Sequence, residues 1–212
     1  MLTLYGDALW VSPWVLTSFV GLREKGLAFE TRAVSLGGKE QLRPEYRDAS
    51  LTARVPALDH DGYWLSESIA IVEYLAEWFP FPAHPRIFPA DLRERGRCRQ
   101  LMGWLRTDLA ALREERPTST LFYERARTPL SEAGRAAAAK LARVASSVLA
   151  DGATQLFDAW CIADADLALA LGRLILNGDA IEPRLRAYFD AQWARPSVRE
   201  FAERARPPFE PY

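Results

Sequence analysis

The stretch 53–68, ARVPALDHDGYWLSES, decides the fold. Its runs VPALD (55–59) and YWLS (63–66) are rich in β-formers and flank His60-Asp61-Gly62. Asp-Gly between two such runs is a hairpin signal. Pro56 heads the first run. A proline gives no ladder hydrogen bond, and it pushes Val55 before it into extended backbone. The result is an unpaired edge of the kind that receives a peptide as an added strand. The stretch closes on Glu67 and Ser68, where a helix over 67–79 begins, with Ile69, Val72 and Leu75 at helical spacing. Free N–H groups and the dipole at such a start attract anions. Glu-Ser there offers an acceptor for an ammonium beside donors for a carboxylate, which is what a zwitterion needs. Taken alone, Glu-Ser is explained by ordinary capping, where a first-turn acid contributes about 0.3–1 kcal/mol.

Upstream, LTLY (2–5) alternates and reads as a strand, and AFETRAV (28–34) as another. Between them SPWVLTSFVGLREKG (12–26) predicts a helix, with Ser12 as N-cap, Pro13 at the first position and Gly26 at the exit. Strand, helix, strand implies a parallel pair with a right-handed crossover. Residues 1–80 therefore read as a βαβ unit joined to a ββα unit. The proline-rich PFPAHPRIFP (80–89) reads as a linker, so the expected boundaries are 1–80, a linker at 81–90 and 91–212.

Everything beyond reads as helical. One long helix is expected over 91–117, with Cys98, Leu101, Met102, Leu105, Leu109 and Leu112 on one face. Ser131 caps another that runs toward Gly152. Residues 164–178 are apolar nearly all round, as in a buried central helix. Ser197-x-x-Glu200 has the form of a capping box. Arg93, Arg95, Arg97 and Arg99 form a basic cluster, read as paired locally with Asp91 and Glu94.

The chain has 212 residues, 49% hydrophobic and 26% charged, with a net charge of −1. That balance is soluble and globular and gives no pull toward nucleic acid or an acidic membrane. No apolar run reaches membrane-spanning length and the start lacks a signal peptide, so a cytoplasmic protein is expected. The two cysteines, Cys98 and Cys161, suggest no disulfide framework, and the two histidines stand in no catalytic or zinc-binding group. No metal is expected.

With these motifs in place, the chain resembles the glutathione S-transferase family over essentially its whole length, as a bacterial, serine-type member. LYGDALWVSPWV resembles the family's first strand, active-site loop and first helix. ARVPALDHDGYWLSESIAIVEYL resembles its glutathione-binding block, and CIADADLAL (161–169) its folding motif, with Cys161 where a Ser or Thr cap is usual. The loop GDALWVSP matches no particular class. The resemblance implies a thioredoxin-like N-terminal domain, an all-α helical bundle after it, and a homodimer. It implies a cis bond at Val55–Pro56, with the Val55 backbone pairing the cysteinyl part of glutathione. Glu67 and Ser68 would hold the γ-glutamyl end, and Arg54 the glycine carboxylate.

Ser12 is then the candidate catalytic residue, with Tyr5 as runner-up. Only a thiolate attacks electrophiles, and a cysteine thiol has a pKa of about 8.5. A hydroxyl donating to the sulfur contributes about 1.5–3 kcal/mol and the helix dipole up to about 1, enough to lower that pKa by roughly 1–3 units. Trp10 and Trp14 flank Ser12 and are candidate walls of an electrophile pocket. Trp104 and Arg113 are weaker candidates for the same role. The expected activity is conjugation of glutathione to electrophiles, with reduction of organic peroxides beside it and detoxification as the setting. Glutathione acts as co-substrate, with no tightly bound cofactor. The alternatives are a glutathione-dependent isomerase of maleylacetoacetate type, whose typical Ser-Ser-Cys loop is missing here, and a non-catalytic adaptor on the same fold.

Overall fold

The structure is a computed structural model that describes residues 1–211. It divides into two compact units, one of residues Met1–Ile87 with Glu200–Tyr212, the other of Phe88–Arg199.

The first unit is built on a four-stranded sheet in the order β2-β1-β3-β4. β1 (Leu2–Asp7) runs parallel to β2 (Glu30–Val34), with α1 (Pro13–Glu24) as the crossover. β3 (Ala57–His60) is antiparallel to both β1 and β4 (Tyr63–Ser66). The Asp61-Gly62 turn joins β3 to β4 with φ of 50° and 90°, the paired positive values that this two-residue hairpin needs. α1 and α3 (Ser68–Trp78) pack together, and their inward residues Val15, Leu16, Phe19, Ile71, Val72 and Leu75 are at most 2% exposed. Burial of each such side chain stabilises the unit by about 1.5–3 kcal/mol. Gly6 in β1 lets α1 come close: a Cβ there would lie 2.8 Å from both Trp10 and Val15. Alternation along β1 turns its neighbour Tyr5 to the other face. There Tyr5 joins Val34, Tyr46, Val55, Ala57 and Trp64 beside α2 (Pro44–Ser50). The sequence motifs did not indicate α2 or the short 3-10 turn Glu40–Leu42 before it.

The proline-rich segment is held against the first unit. Lys25, only 1% exposed, donates through Nζ to the Pro85 carbonyl at 2.9 Å, and Ile87 is fully buried.

The second unit is all helical. It comprises α4 (Leu92–Thr107), α5 (Ala110–Glu115), α6 (Ser119–Phe122), α7 (Glu132–Val148), α8 (Ile162–Ile175) and α9 (Pro183–Trp193). α10 (Pro196–Ala202) starts in this unit and ends in the first. Every residue of α8 is buried, and α4, α6, α7 and α9 pack on it.

Four local expectations are corrected. The long helix expected over 91–117 is two helices, because Leu109 takes a left-handed φ of 62° between α4 and α5. Cys161 does not leave its capping box incomplete. Its N–H donates to Asp164 Oδ2 at 2.9 Å, and the sulfur supplies the other arm as a weak acceptor. Ser197 does not cap α10, which begins at Pro196, and Glu200 instead meets Arg23 at 2.6 Å. Asp91 caps α4 by accepting from the N–H of Arg93 and Glu94, while Arg95 and Arg97 donate to Pro89 O and Gln100 Oε1.

Candidate functional site

The site grows from the two helix starts of the first unit and the edge between them. At the start of α1, the Ser12 hydroxyl accepts from the Val15 N–H at a long 3.4 Å. Its own hydrogen has no acceptor among the described residues, so Ser12 keeps a donor for a ligand. α1 has no acid in its first turn and Arg23 in its last, so Arg23 stabilises the negative end of the dipole and no first-turn carboxylate neutralises the positive end.

The loop carrying Ser12 is gripped from beneath by Asp7, a residue the sequence motifs did not single out. Asp7 is fully buried and accepts from the N–H of Val11 at 2.9 Å and of Ser12 at 3.0 Å. Burial pushes its carboxyl pKa up, while these two bonds and the Arg206 charge pull it back. Ionised Asp7 adds negative charge at this helix start, and the Arg206 charge offsets it.

Arg206 also donates from Nε and Nη2 to the Trp10 carbonyl, both at 3.2 Å. Arg204 lies with its guanidinium 3.7 Å from the centre of the Trp10 ring. Trp10 itself is strained at φ 51° and only 5% exposed. Its ring is taken up by Gly6, Phe201 and Arg204, so it is a packing residue of the loop and not a free pocket wall. Trp14 stays half-buried, one residue past Pro13.

Tyr5 is turned away from α1 and committed to rings, 4.6 Å from Trp64 and 5.8 Å from Tyr46. The structure thus separates it from Ser12 across the sheet.

The peptide edge is open. The Val55–Pro56 bond is cis, and β3 begins only at Ala57. The backbone N–H and C=O of Val55 have no hydrogen-bond partner among the described residues. Tyr46 donates to the Arg54 carbonyl at 2.8 Å, which steadies the approach to that edge. The exposed Arg54 guanidinium pairs with nothing among the described residues.

At the start of α3, Glu67 is exposed and held at φ 70°, ψ 112°, with no side-chain cap on the helix. Such a conformation costs roughly 1–3 kcal/mol in a non-glycine residue and persists only where the surroundings impose it. Exposed Glu67 stands directly before the buried Ser68, the first residue of the helix. Ser68 has partners of its own in the structure. The start of α3, which has no side-chain cap, the Glu67 carboxylate and the Val55 edge together offer a peptide-shaped set of donors and acceptors.

Trp104 and Arg113 lie in the other unit and in different settings. Trp104 lines a groove of about 280 Å³ between α4 and α7, with Leu101, Val144 and Val148, and its indole N–H donates to Asp108. Arg113, on α5, is absent from that lining and donates to the Arg106 carbonyl at 2.6 Å.

Three comparisons bear on this site. Residues 91–205 match the model of the glutathione S-transferase C-terminal domain, and residues 11–78 that of the N-terminal domain. A solved glutathione transferase homolog from Burkholderia gl BGR1, with bound glutathione, is 41% identical and superposes with a TM-score of 0.79 over 95% of this chain and 96% of its own. Among curated proteins, maleylpyruvate isomerase of Ralstonia sp is 35% identical over 97 residues, 46% of this chain and 44% of its own. Rat glutathione S-transferase theta-1 is 30% identical over 109 residues, 51% of this chain and 44% of its own. The chain thus spans less than half the length of these curated relatives.

Proposed function

Because this chain belongs to the glutathione S-transferase family, we propose that it binds glutathione along the Val55 edge and activates the tripeptide's thiol with Ser12. The observation that carries the proposal is the pairing of an unpaired extended edge with an uncapped helix start under a strained Glu67. Glutathione lies extended, its cysteinyl backbone exchanging hydrogen bonds with Val55. Its α-carboxylate takes the amides at Ser68, its ammonium takes Glu67, and its glycine carboxylate takes Arg54. The Ser12 hydroxyl donates its free hydrogen to the sulfur at the positive end of α1.

The thiolate then attacks an electrophilic carbon, the leaving group departs with the bond's electron pair, and the thiol proton passes to solvent. With an organic peroxide the thiolate attacks the terminal oxygen, the O–O bond breaks and an alcohol leaves, which gives a sulfenic acid; a second glutathione attacks that sulfur, forming the disulfide and releasing water. No metal or tightly bound cofactor takes part. Within the first unit, Trp14 is the residue proposed for the electrophile. The glutathione-binding domain is residues 1–80 and the helical domain 91–212, joined by 81–90. The setting is cytoplasmic detoxification by a homodimer; among the described residues no helix is long and apolar enough to cross a membrane.

Likeness to a maleylpyruvate isomerase favours a second reading, in which the thiolate adds to an unsaturated acid, permits rotation and leaves again. Both readings share the glutathione seat, so the test starts there. Immobilised glutathione should retain the wild type and Ser12→Ala alike, with conjugation much slower in the variant. Equal activity in both would move the role away from Ser12. Failure to bind glutathione at all would favour a non-catalytic adaptor.

A further inference from the structure

Three consecutive amides of the loop before α1 converge on one residue. Trp10 N–H donates to the Asp7 carbonyl at 2.9 Å. The next two, Val11 and Ser12, donate to the two oxygens of its carboxyl at 2.9 and 3.0 Å. Successive N–H groups in a turn form a concavity for an acceptor, here the chain's own side chain. The turn rests on Trp10, at φ 51°. Glycine takes that conformation without strain, yet the chain carries a tryptophan there. Were Trp10 to relax to a negative φ, the amides of Val11 and Ser12 would swing off Asp7 and the Ser12 hydroxyl would move with them.

Strain of this kind persists only where the surroundings impose it. At Trp10 they come from the segment just beyond α10, which belongs with the loop to the first unit. Arg204 lays its guanidinium 3.7 Å from the centre of the Trp10 ring. It is itself anchored to β2, where its Nη2 donates to Thr31 Oγ1 at 2.9 Å. Arg206, two residues on, donates from Nε and Nη2 to the Trp10 carbonyl, both at 3.2 Å. One arginine holds the ring and the other the backbone.

We propose that Arg204 and Arg206 are positioning residues for the thiol-activating loop: together they keep Trp10 left-handed, and through Trp10 they fix where the Ser12 hydroxyl stands. That this hydroxyl acts on a thiol rests on the transferase reading; that the two arginines hold the loop does not.

Hydrogen exchange of the Val11 and Ser12 amides reads the hold without any ligand. In Arg204→Met these amides should exchange about two- to fivefold faster, the size of one cation–π contact, while those of Val72 and Leu75 in α3 keep their wild-type rates. Arg206→Lys, which keeps its charge but loses the fork, should act in the same direction. Should Arg204→Met melt low enough to speed α3 as well, Thr31→Val removes only the anchor and should quicken Val11 and Ser12 alone, by about twofold. Unchanged exchange at Val11 and Ser12 in these variants would overturn the hold.

With glutathione bound, the ultraviolet titration of its thiol separates position from charge. Arg204→Met should raise the bound thiol's pKa by about half a unit, and by nothing further in a Ser12→Ala background, where the hold has no hydroxyl left to place. A shift of equal size in both backgrounds, or in neither, would overturn the positioning role. If the wild type binds no glutathione, or leaves its thiol at the free value, the transferase reading falls, and the exchange rates still decide whether the arginines hold the loop.

Discussion

The starts of α1 and α3 are both free of first-turn acids, yet they are built in opposite ways. At α1 the protein supplies the cap: Ser12 accepts from Val15, Asp7 takes the two amides before the helix, and Arg206 holds the Trp10 carbonyl. At α3 it supplies no side-chain cap and spends backbone strain on Glu67 instead. A capped start fixes one hydroxyl in place, as a group that polarises a single atom must be fixed. An uncapped start leaves its amides to a ligand, as a group that binds a carboxylate must. On the proposed function, the first acts on the sulfur and the second holds the tripeptide's far end.

Substitutions should separate these roles. The largest effect is expected from Ser12→Ala, which removes a charge-assisted hydrogen bond of about 1.5–3 kcal/mol. Its kcat/KM should fall by roughly 10- to 150-fold with glutathione affinity little changed. Equal losses in binding and turnover would merge the two helix starts into one function. Glu67→Gly should come next and split in sign. Glycine relieves the positive φ, so the melting temperature should hold or rise, while glutathione binding weakens about tenfold for want of the ammonium's partner. A fall in stability would mean that the Glu67 side chain stabilises the fold.

Arg206→Met should lower kcat/KM by only about two- to fivefold, through a loosened loop and an unopposed Asp7. The smallest effect is on pH dependence. The folded pKa of Asp7 lies above its ordinary value of 3.8, so its stabilising contribution is complete below that value and is lost as pH rises through the folded pKa. Asp7→Asn should flatten that slope in thermal melts recorded across the window. An unchanged slope would show that another group titrates there.

The parts of this account that were legible in the sequence are local. Asp61-Gly62 turns where its dipeptide says, Ser12-Pro13 opens α1, and the unbroken apolar run becomes the buried α8. The parts that were not legible depend on contacts far along the chain or on backbone strain. Arg206 reaches Trp10 across 196 positions, and nothing near either residue announces it. The break at Leu109 was hidden because Leu109 and Leu112 continue the buried stripe of α4 and only the backbone changes hand. Asp7 did leave a signal: an acid closing a buried strand, four and five residues ahead of the amides it accepts.

The central claim is that Ser12 ionises the thiol of bound glutathione, and the most direct test is the ultraviolet absorbance of the bound thiolate followed against pH. The wild-type complex should titrate roughly 1–3 units below the free thiol's value of about 8.5, with Ser12→Ala returning most of the way to it. A bound thiol that titrates at the free value, or equally low in both proteins, would contradict the account.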